Sequence, residues 1–359
     1  MCHSGGAYIT TREVTDMDIT TVGLDIAKNS FHVHAIDSRG QCATSKSLRR
    51  KQIVVFFAKL KPCLIGMEAC AGAHYWARTL GALGHEVKLI PPQFVKPYVK
   101  TNKTDAADAE AICEAVERPN MRFVPIKQVD QQVVMSLHRA RSGFVKSRTA
   151  LANQIRGLLG EYGVVLRPGI QQVRAGVPAL LDADDLPELF KRLLAQLYAH
   201  LCELDAQVEQ IEAELKAWFK NSADAQRIEK IPGIGWLTAT ALVASIGDAR
   251  SFKNGRQLAA WLGLVPRQHS TGGKPKLLGI SKRGDAYLRT LIIHGARAAI
   301  RYVDRDRTAT GQWVRDLEQR RPKNVAVVAR ANKHARIVWA LLAHQRDYDP
   351  QHQSVRMAA

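Results

Sequence analysis

Between residues 20 and 118 the chain alternates strand and helix in an order that few folds accommodate. "TVGLDIAKNSFHVHAID" (21–37) reads as two adjacent strands, with Val22, Leu24 and Ile26 on one face and Gly23 and Asp25 on the other. "SRGQ" (38–41) turns the chain into a third strand. "KQIVVFFAKL" (51–60) reads as a short helix and "CLIGMEA" (63–69) as a buried strand. "HYWARTLGALG" (74–84) is a helix whose Gly84 suits a C-terminal cap, and "HEVKLIPP" (85–92) is a strand stopped by two prolines. A further helix, opened by Thr104, closes the region near Arg118. A three-strand meander followed by alternating helix and strand is the order of a ribonuclease-H-like α/β domain.

Four acids in this region carry the chemistry. Asp25 lies on the first strand and Glu68 ends the fourth. In "KTDAADAEAI" (103–112), Asp105 and Asp108 sit three apart and so share a helix face. In the expected sheet the first and fourth strands are neighbours, and the closing helix crosses beside them. All four carboxylates can then converge, which is unfavourable unless a cation sits among them. Hard oxygen ligands suit Mg²⁺ or Mn²⁺, and two such ions can hold the attacking and leaving oxygens of a phosphoryl transfer. The plainer alternatives are a helix-dipole charge at Asp105 and a solvated face at Asp108. They do not explain Asp25 and Glu68 inside apolar strands.

Charge sets the partner class. Lys and Arg total 52 against 33 acids, a net charge of +19, which points to a polyanion such as nucleic acid. No apolar run reaches the roughly 18 residues of a spanning helix. The polar stretch before Asp18 lacks the apolar segment of a signal peptide and reads as a disordered leader, with Met17 a candidate start. Six cysteines are scattered with no CxxC pair, which fits a reducing cytoplasm.

From about residue 127 the strand signal disappears. Residues 131–160 are helical and carry Arg139, Arg141, Lys146, Arg148 and Arg156 with no acid. After a Gly/Pro-rich break (163–187), Phe190, Leu194, Leu197, Leu201, Leu204, Val208, Ile211, Leu215 and Trp218 recur in alternating steps of four and three. That is a heptad seam, and it favours a coiled-coil contact, within the chain or between subunits, over a merely amphipathic helix. "IPGIG" (231–235) between two helices has the helix-hairpin-helix pattern, whose backbone N–H groups at Gly233 and Gly235 suit phosphate. Two glycines at a tight helical corner also have a purely steric explanation.

"GLVPRQHSTGGKPKLLGISKRGDAYLR" (263–289) is basic and loop-rich. Lys274, Lys276, Lys282 and Arg283 surround Ser270 and Thr271, and Asp285 caps the next helix. A hydroxyl there is a candidate nucleophile toward phosphate. Spacing alone favours a phosphate-gripping loop without chemistry of its own.

The stretches "VGLDIAKNSFHVHAID", "GMEACAGAHYWARTL" and "KTDAADAEAI", with "IPGIGWLTATALVASIGD" and "LAAWLGLVPRQHSTGGKPKLLGISKRGDAYLRTLIIHGARA", resemble the DEDD-type insertion-sequence transposases, which include the pilin-gene invertases. The resemblance runs from about residue 20 to 345. It implies a RuvC-like fold with Asp25, Glu68, Asp105 and Asp108 as a metal-binding catalytic tetrad. It also implies a C-terminal serine that links covalently to DNA, and Ser270 matches that position. Here the loop reads Ser-Thr-Gly-Gly where much of the family has Ser-Gly, so Thr271 is the neighbouring hydroxyl. Members of the family are associated with a structured noncoding guide RNA from the element's own ends.

The resulting expectation is a bacterial, cytoplasmic and nucleoid-associated DNA recombinase, using Mg²⁺ or Mn²⁺ and forming a dimer or tetramer through the coiled coil. Its parts are a leader (1–18), a RuvC-like catalytic domain (19–125), a basic helical segment with the coiled-coil linker (126–227), a mostly α C-terminal transposase domain with a helix-hairpin-helix-like element (228–345) and a disordered tail (346–359). Candidate nucleic-acid contacts are Lys103, Arg139, Arg141, Lys146, Arg148, Gly233, Gly235, Lys274, Lys276, Lys282 and Arg283. The competing reading is a metal-dependent Holliday-junction nuclease with water as nucleophile. An actin-like sugar kinase shares the "GLDIAK" opening, but its second phosphate-binding hairpin is missing from the sequence. A non-catalytic nucleic-acid-binding protein rests on charge alone.

Overall fold

A computed structural model describes residues 18–100, 104–303 and 306–352. The expected leader up to Met17, Lys103 and the last seven residues of the expected tail lie outside them. The chain divides into two compact units that meet in sequence between Gln128 and Val129.

The first unit is built on a five-stranded sheet in the order β3-β2-β1-β4-β5. Strands β1 (Ile19–Ile26), β2 (Ser30–Asp37) and β3 (Cys42–Arg49) form an antiparallel meander, and β4 (Leu64–Glu68) and β5 (Glu86–Ile90) continue it in parallel from β1. One face carries Val22, Leu24, Phe31 and Val33. It is covered by Phe57 of α1 (Ile53–Ala58) and Trp76 and Leu80 of α2 (Ala73–Ala82). A short α3 (Pro92–Val95) follows β5.

Helix α4 (Asp105–Val116) covers the other face, and two glycines set its position. Gly23 and Gly66 are register partners on β1 and β4. A Cβ on Gly23 would run into the backbone oxygen of Ala109 and lie 2.5 Å from the Cys113 nitrogen, and one on Gly66 would lie 2.8 Å from Val116 Cβ. The helix backbone therefore rests directly on a floor without side chains. Thr104 caps α4 by accepting from the Ala107 N–H at 3.2 Å, as its sequence suggested. At the other end Thr21 Oγ1 donates to Glu117 at 2.8 Å.

The second unit is largely helical. Helices α5 (Val129–Gly160) and α7 (Glu188–Lys220) run antiparallel. Of the seam residues, Phe190, Leu194, Leu201, Leu204, Val208 and Leu215 are buried. Leu151, Ile155 and Leu159 of α5 share their core at one end, and Val134 packs with Leu215 at the other. The seam is thus covered within its own chain. Arg141 pairs with Glu212 at 2.6 Å and Arg148 with Asp205 at 3.0 Å. Seven residues separate the partners on each helix, so the ion pairs repeat with the heptad.

The Gly/Pro-rich break contains a helix that the sequence reading missed, α6 (Ile170–Asp182), with Pro178 inside it. Val173 and Val177, one turn apart, are fully buried and hold it to the core. Proline removes the N–H that would serve the Arg174 carbonyl. The Tyr198 hydroxyl of α7 donates to that oxygen instead, at 3.3 Å.

Beyond α7 come α8 (Ala223–Glu229), α9 (Trp236–Ile246), α10 (Gly255–Trp261), a ribbon of β6 (Pro266–Gln268) and β7 (Leu277–Ile280), α11 (Ala286–Ile300), α12 (Ala309–Arg320) and α13 (Lys323–His344). They enclose one core that includes Leu242, Leu258, Ile292, Ala331 and Val338. Asp285 caps α11 through the Tyr287 and Leu288 N–H groups, as expected; Leu288 and Ile292 are buried and Leu291 is partly buried. Among the described residues, no helix is long and apolar enough to cross a membrane.

Two substitutions test these supports. Gly23→Ala should lift α4 and destabilise the first unit by about 1–3 kcal/mol, the usual range for overpacking, read by denaturant unfolding. Tyr198→Phe should remove about 1 kcal/mol from the second unit and lower its melting temperature by roughly 2–4 °C.

Candidate active site and nucleic-acid interface

The glycine floor determines where the acids fall. Gly23-Leu24-Asp25 and Gly66-Met67-Glu68 repeat one pattern on paired parallel strands, so each acid follows its glycine by two residues on the face that α4 covers. Asp25 and Glu68 are both half-buried. The start of α4 brings Asp105 and Asp108 to the same end of the sheet. Their negative charge reaches Asp25, whose pKa is raised first by burial, then by Asp108, then by Asp105. Glu68 and Asp25 also act together on Cys70, whose thiol is pushed up mainly by burial and further by these two charges. Cys70 is therefore a thiol beside the acids rather than a thiolate, and no sequence signal singled it out.

Lys100 binds Glu114 at 2.9 Å and lies 3.8 Å from Glu110. His32 and His34 are half-buried on the α4 side, since they pair across the sheet with Asp25 and Gly23. Burial holds the His34 pKa below its ordinary value. A strand residue opposite a covered one is covered as well, which alternation alone does not reveal.

The four candidate donors are carboxylates, hard oxygens of the kind that hold Mg²⁺ or Mn²⁺. A cation would relieve the part of the Asp25 shift that Asp108 and Asp105 add to burial. In chemistry and charge the residues fit a divalent ion. Among the described residues, however, no three His, Cys, Asp or Glu side chains form a group close enough to hold a metal.

Ser270 lies in the second unit, in a better-defined setting than the expected flexible loop. Gln268 pairs with Leu277 and Thr271 with Lys274 in one register, which places Ser270 opposite Pro275. Proline has no N–H, so the ladder is open at that point. The turn is Gly272-Gly273, with φ of +58° and +75°, the left-handed pair of a type I′ hairpin. Ser270 is exposed, and its Oγ accepts from Gln268 Nε2 at 2.7 Å. Lys274 and Lys276 are exposed on the returning arm, and Lys282 and Arg283 on the loop that follows.

The remaining basic candidates divide. Arg139 and Lys146 are exposed on α5, whereas Arg141 and Arg148 are half-buried in their ion pairs with α7. The two glycines of "IPGIG" divide as well. A Cβ on Gly233 would strike the Gly295 carbonyl of α11, so close helix packing accounts for it. Gly235 is exposed with open space around it and begins α9 without a side-chain cap.

Asp25→Asn provides a test of the crowding. The folded-state pKa is above the ordinary 3.8, so ionised Asp25 opposes folding as pH rises past that value. The substitution should raise the melting temperature at pH 7 without added metal, and the gain should vanish near pH 3, where the carboxylates are protonated.

Comparison with known proteins gives a consistent answer. A DEDD transposase model of the IS110 type matches residues 22–164, and a model for the IS116/IS110/IS902 transposase family matches residues 225–310. The chain is 51% identical to a Pseudomonas aeruginosa protein named "Probable family 20 transposase", over 93% of this chain and 100% of that one. It is 48% identical to the transposase for insertion sequence element IS1111A of Coxiella burnetii, over 92% of each chain. It is 44% identical to the transposase for insertion sequence element IS1328 of Yersinia enterocolitica, over 90% of this chain and 97% of that one. A DEDD domain implies a ribonuclease-H-like fold, and the observed five-stranded sheet under α4 is compatible with it. With both units matched and relatives aligned along nearly its whole length, the chain belongs to the IS116/IS110/IS902 family of insertion-sequence transposases, enzymes that act on DNA.

Proposed function

We propose that this transposase cuts and rejoins DNA through a metal-binding tetrad of Asp25, Glu68, Asp105 and Asp108 and a serine nucleophile, Ser270. The observation that carries the reading is the crowding of Asp25 by Asp108 and Asp105 at the end of a sheet whose next strand ends in Glu68. The four carboxylates would hold Mg²⁺ or Mn²⁺, and the ion supplies charge neutralisation at the scissile phosphate. The chain's own part is to orient the hydroxyl. Gln268 donates to Ser270 Oγ and so leaves the hydroxyl proton pointing elsewhere, available for removal. The Ser270 oxygen forms the new bond to phosphorus as a deoxyribose oxygen leaves with a proton. The phosphoserine link conserves the bond for rejoining.

Lys274 and Lys276 on the same ribbon, and Lys282 and Arg283 on the loop that follows it, would bind phosphates, as would Arg139 and Lys146, Lys103, and the Gly235 end of α9 beside Gly233. Arg141 and Arg148 would reach a phosphate only at the expense of Glu212 and Asp205. A structured noncoding RNA is a second polyanion that the net charge of +19 accommodates. The α5–α7 pair is read as an antiparallel coiled coil, supported by its heptad seam and heptad-spaced ion pairs. A homo-oligomer would then use other faces, such as the strip at Leu189 and Leu193, which are 73% and 42% exposed. The five described cysteines are all free, which agrees with a reducing cytoplasmic setting.

The test uses full-length protein with element-end DNA, the element's RNA and Mg²⁺, followed by a denaturing gel. A covalent protein–DNA adduct is expected. Ser270→Ala should abolish it while nucleic-acid binding stays within about twofold, and Asp25→Ala should abolish cutting. Nicked DNA without an adduct would instead identify a junction nuclease using water.

A further inference from the structure

We propose that a groove in the second unit, floored by α13 and walled by α12 on one side and α10 with the β6–β7 ribbon on the other, seats a single strand of nucleic acid. Its volume is about 1720 Å³, beyond the roughly 300–1,000 Å³ of a small-ligand pocket and suited to a polymer. Its lining combines two chemistries. Arg256, Lys333 and Arg336 supply positive charge, while Trp313, Leu278 and Val325 supply apolar surface. Leu278 and Val325 remain 41% and 48% exposed. A duplex hides its base faces in the stack, whereas a single strand offers bare bases to apolar side chains and phosphates to cations.

The electrostatics of α13 point to an anion. Lys333 lies 5.1 Å over the Trp313 ring, and its pKa is lowered by burial and then by Arg336 and Arg330. Arg330 is 2% exposed, and its Nη1 has no hydrogen-bond partner among the described residues. The acid facing this group is Asp306. It lies 3.7 Å from Arg330, too far for a hydrogen bond, and its other oxygen accepts from the Thr308 N–H and hydroxyl. Two further acids, Asp347 and Asp349, lie on the C-terminal rim, where Asp347 is paired with Lys230 at 3.1 Å. Arg256, Lys333 and Arg336 are the cations that line the groove, and Arg330 lies beneath them. The ribbon that carries Ser270 forms part of the wall, through Pro266, Leu278 and Ile280. A strand in the groove would therefore run beside the arm that bears the proposed nucleophile.

The inference rests on the nucleic-acid part of the proposed function and not on the Ser270 chemistry. Full-length protein is titrated with labelled oligo-dT, oligo-U and a duplex across a salt series, comparing wild type with the exposed double variant Arg256→Ala/Arg336→Ala. The variant should bind single strands about tenfold more weakly, with the salt slope reduced by about 1.4, near 0.7 per lost phosphate contact, and duplex binding nearly unchanged. Loss confined to oligo-dT or to oligo-U identifies the strand as DNA or RNA. Unchanged single-strand affinity and slope, or an equal loss for the duplex, overturns the proposal. Ultraviolet crosslinking of a bromouracil-bearing oligonucleotide to unmodified protein gives an independent answer. Crosslinks should map to 309–344 or 277–280, and crosslinks found only elsewhere reject the groove. Absence of the Ser270 adduct with these results intact would defeat the recombinase chemistry and leave the groove standing.

Discussion

The contact of α4 with a pair of glycines is the constraint on which the first unit depends. Gly23 and Gly66 lie side by side on parallel strands, and the helix backbone occupies the space where their side chains would be. Closeness has an electrostatic consequence. It brings the helix start, with Asp105 and Asp108, to the strand end that carries Asp25, where burial first and their repulsion second raise the Asp25 pKa. Packing energy from the floor and the apolar face holds together charges that would otherwise separate.

The second unit is held by a different device. Its heptad seam fixes the facing helices, and two ion pairs seven residues apart repeat that registration. A shift of α5 against α7 by one helical turn would break both pairs and misalign the seam. The proline in α6 shows the same economy of polar groups, because the carbonyl it deprives of a partner receives one from Tyr198. Close approach also governs the corner at 231–235, where Gly233 and Gly295 touch backbone to backbone.

Much of this was legible in the sequence. Period-two alternation gave the strands of the meander, Thr104 gave the start of α4, and the four-three spacing gave the buried face of α7. The acids at Asp25 and Glu68 stood out because they interrupt apolar strands. Other features were illegible for identifiable reasons. Helix α6 was hidden by Gly169, Gly176 and Pro178, which read locally as breakers while Val173 and Val177 win through tertiary burial. The coverage of His32 and His34 depends on which helix crosses the sheet, and that is a long-range fact. The ribbon around Ser270 was read as a loop because its pairing involves three-residue and four-residue strands interrupted at Pro275. The Gly-x-acid repeat on β1 and β4 was visible in the letters, but its meaning required the register.

The two-glycine turn beside Ser270 has a consequence for how such a chain can vary. Along a ribbon arm, successive side chains point to opposite faces, so Ser270 and Thr271 offer their hydroxyls in opposite directions. Moving the hydroxyl by one position exchanges the two faces, whereas moving it by two restores the original one. The arm therefore behaves as a parity element. Changes of residue type in the turn leave the direction of the hydroxyl intact, while a single insertion between Gln268 and Ser270 reverses it.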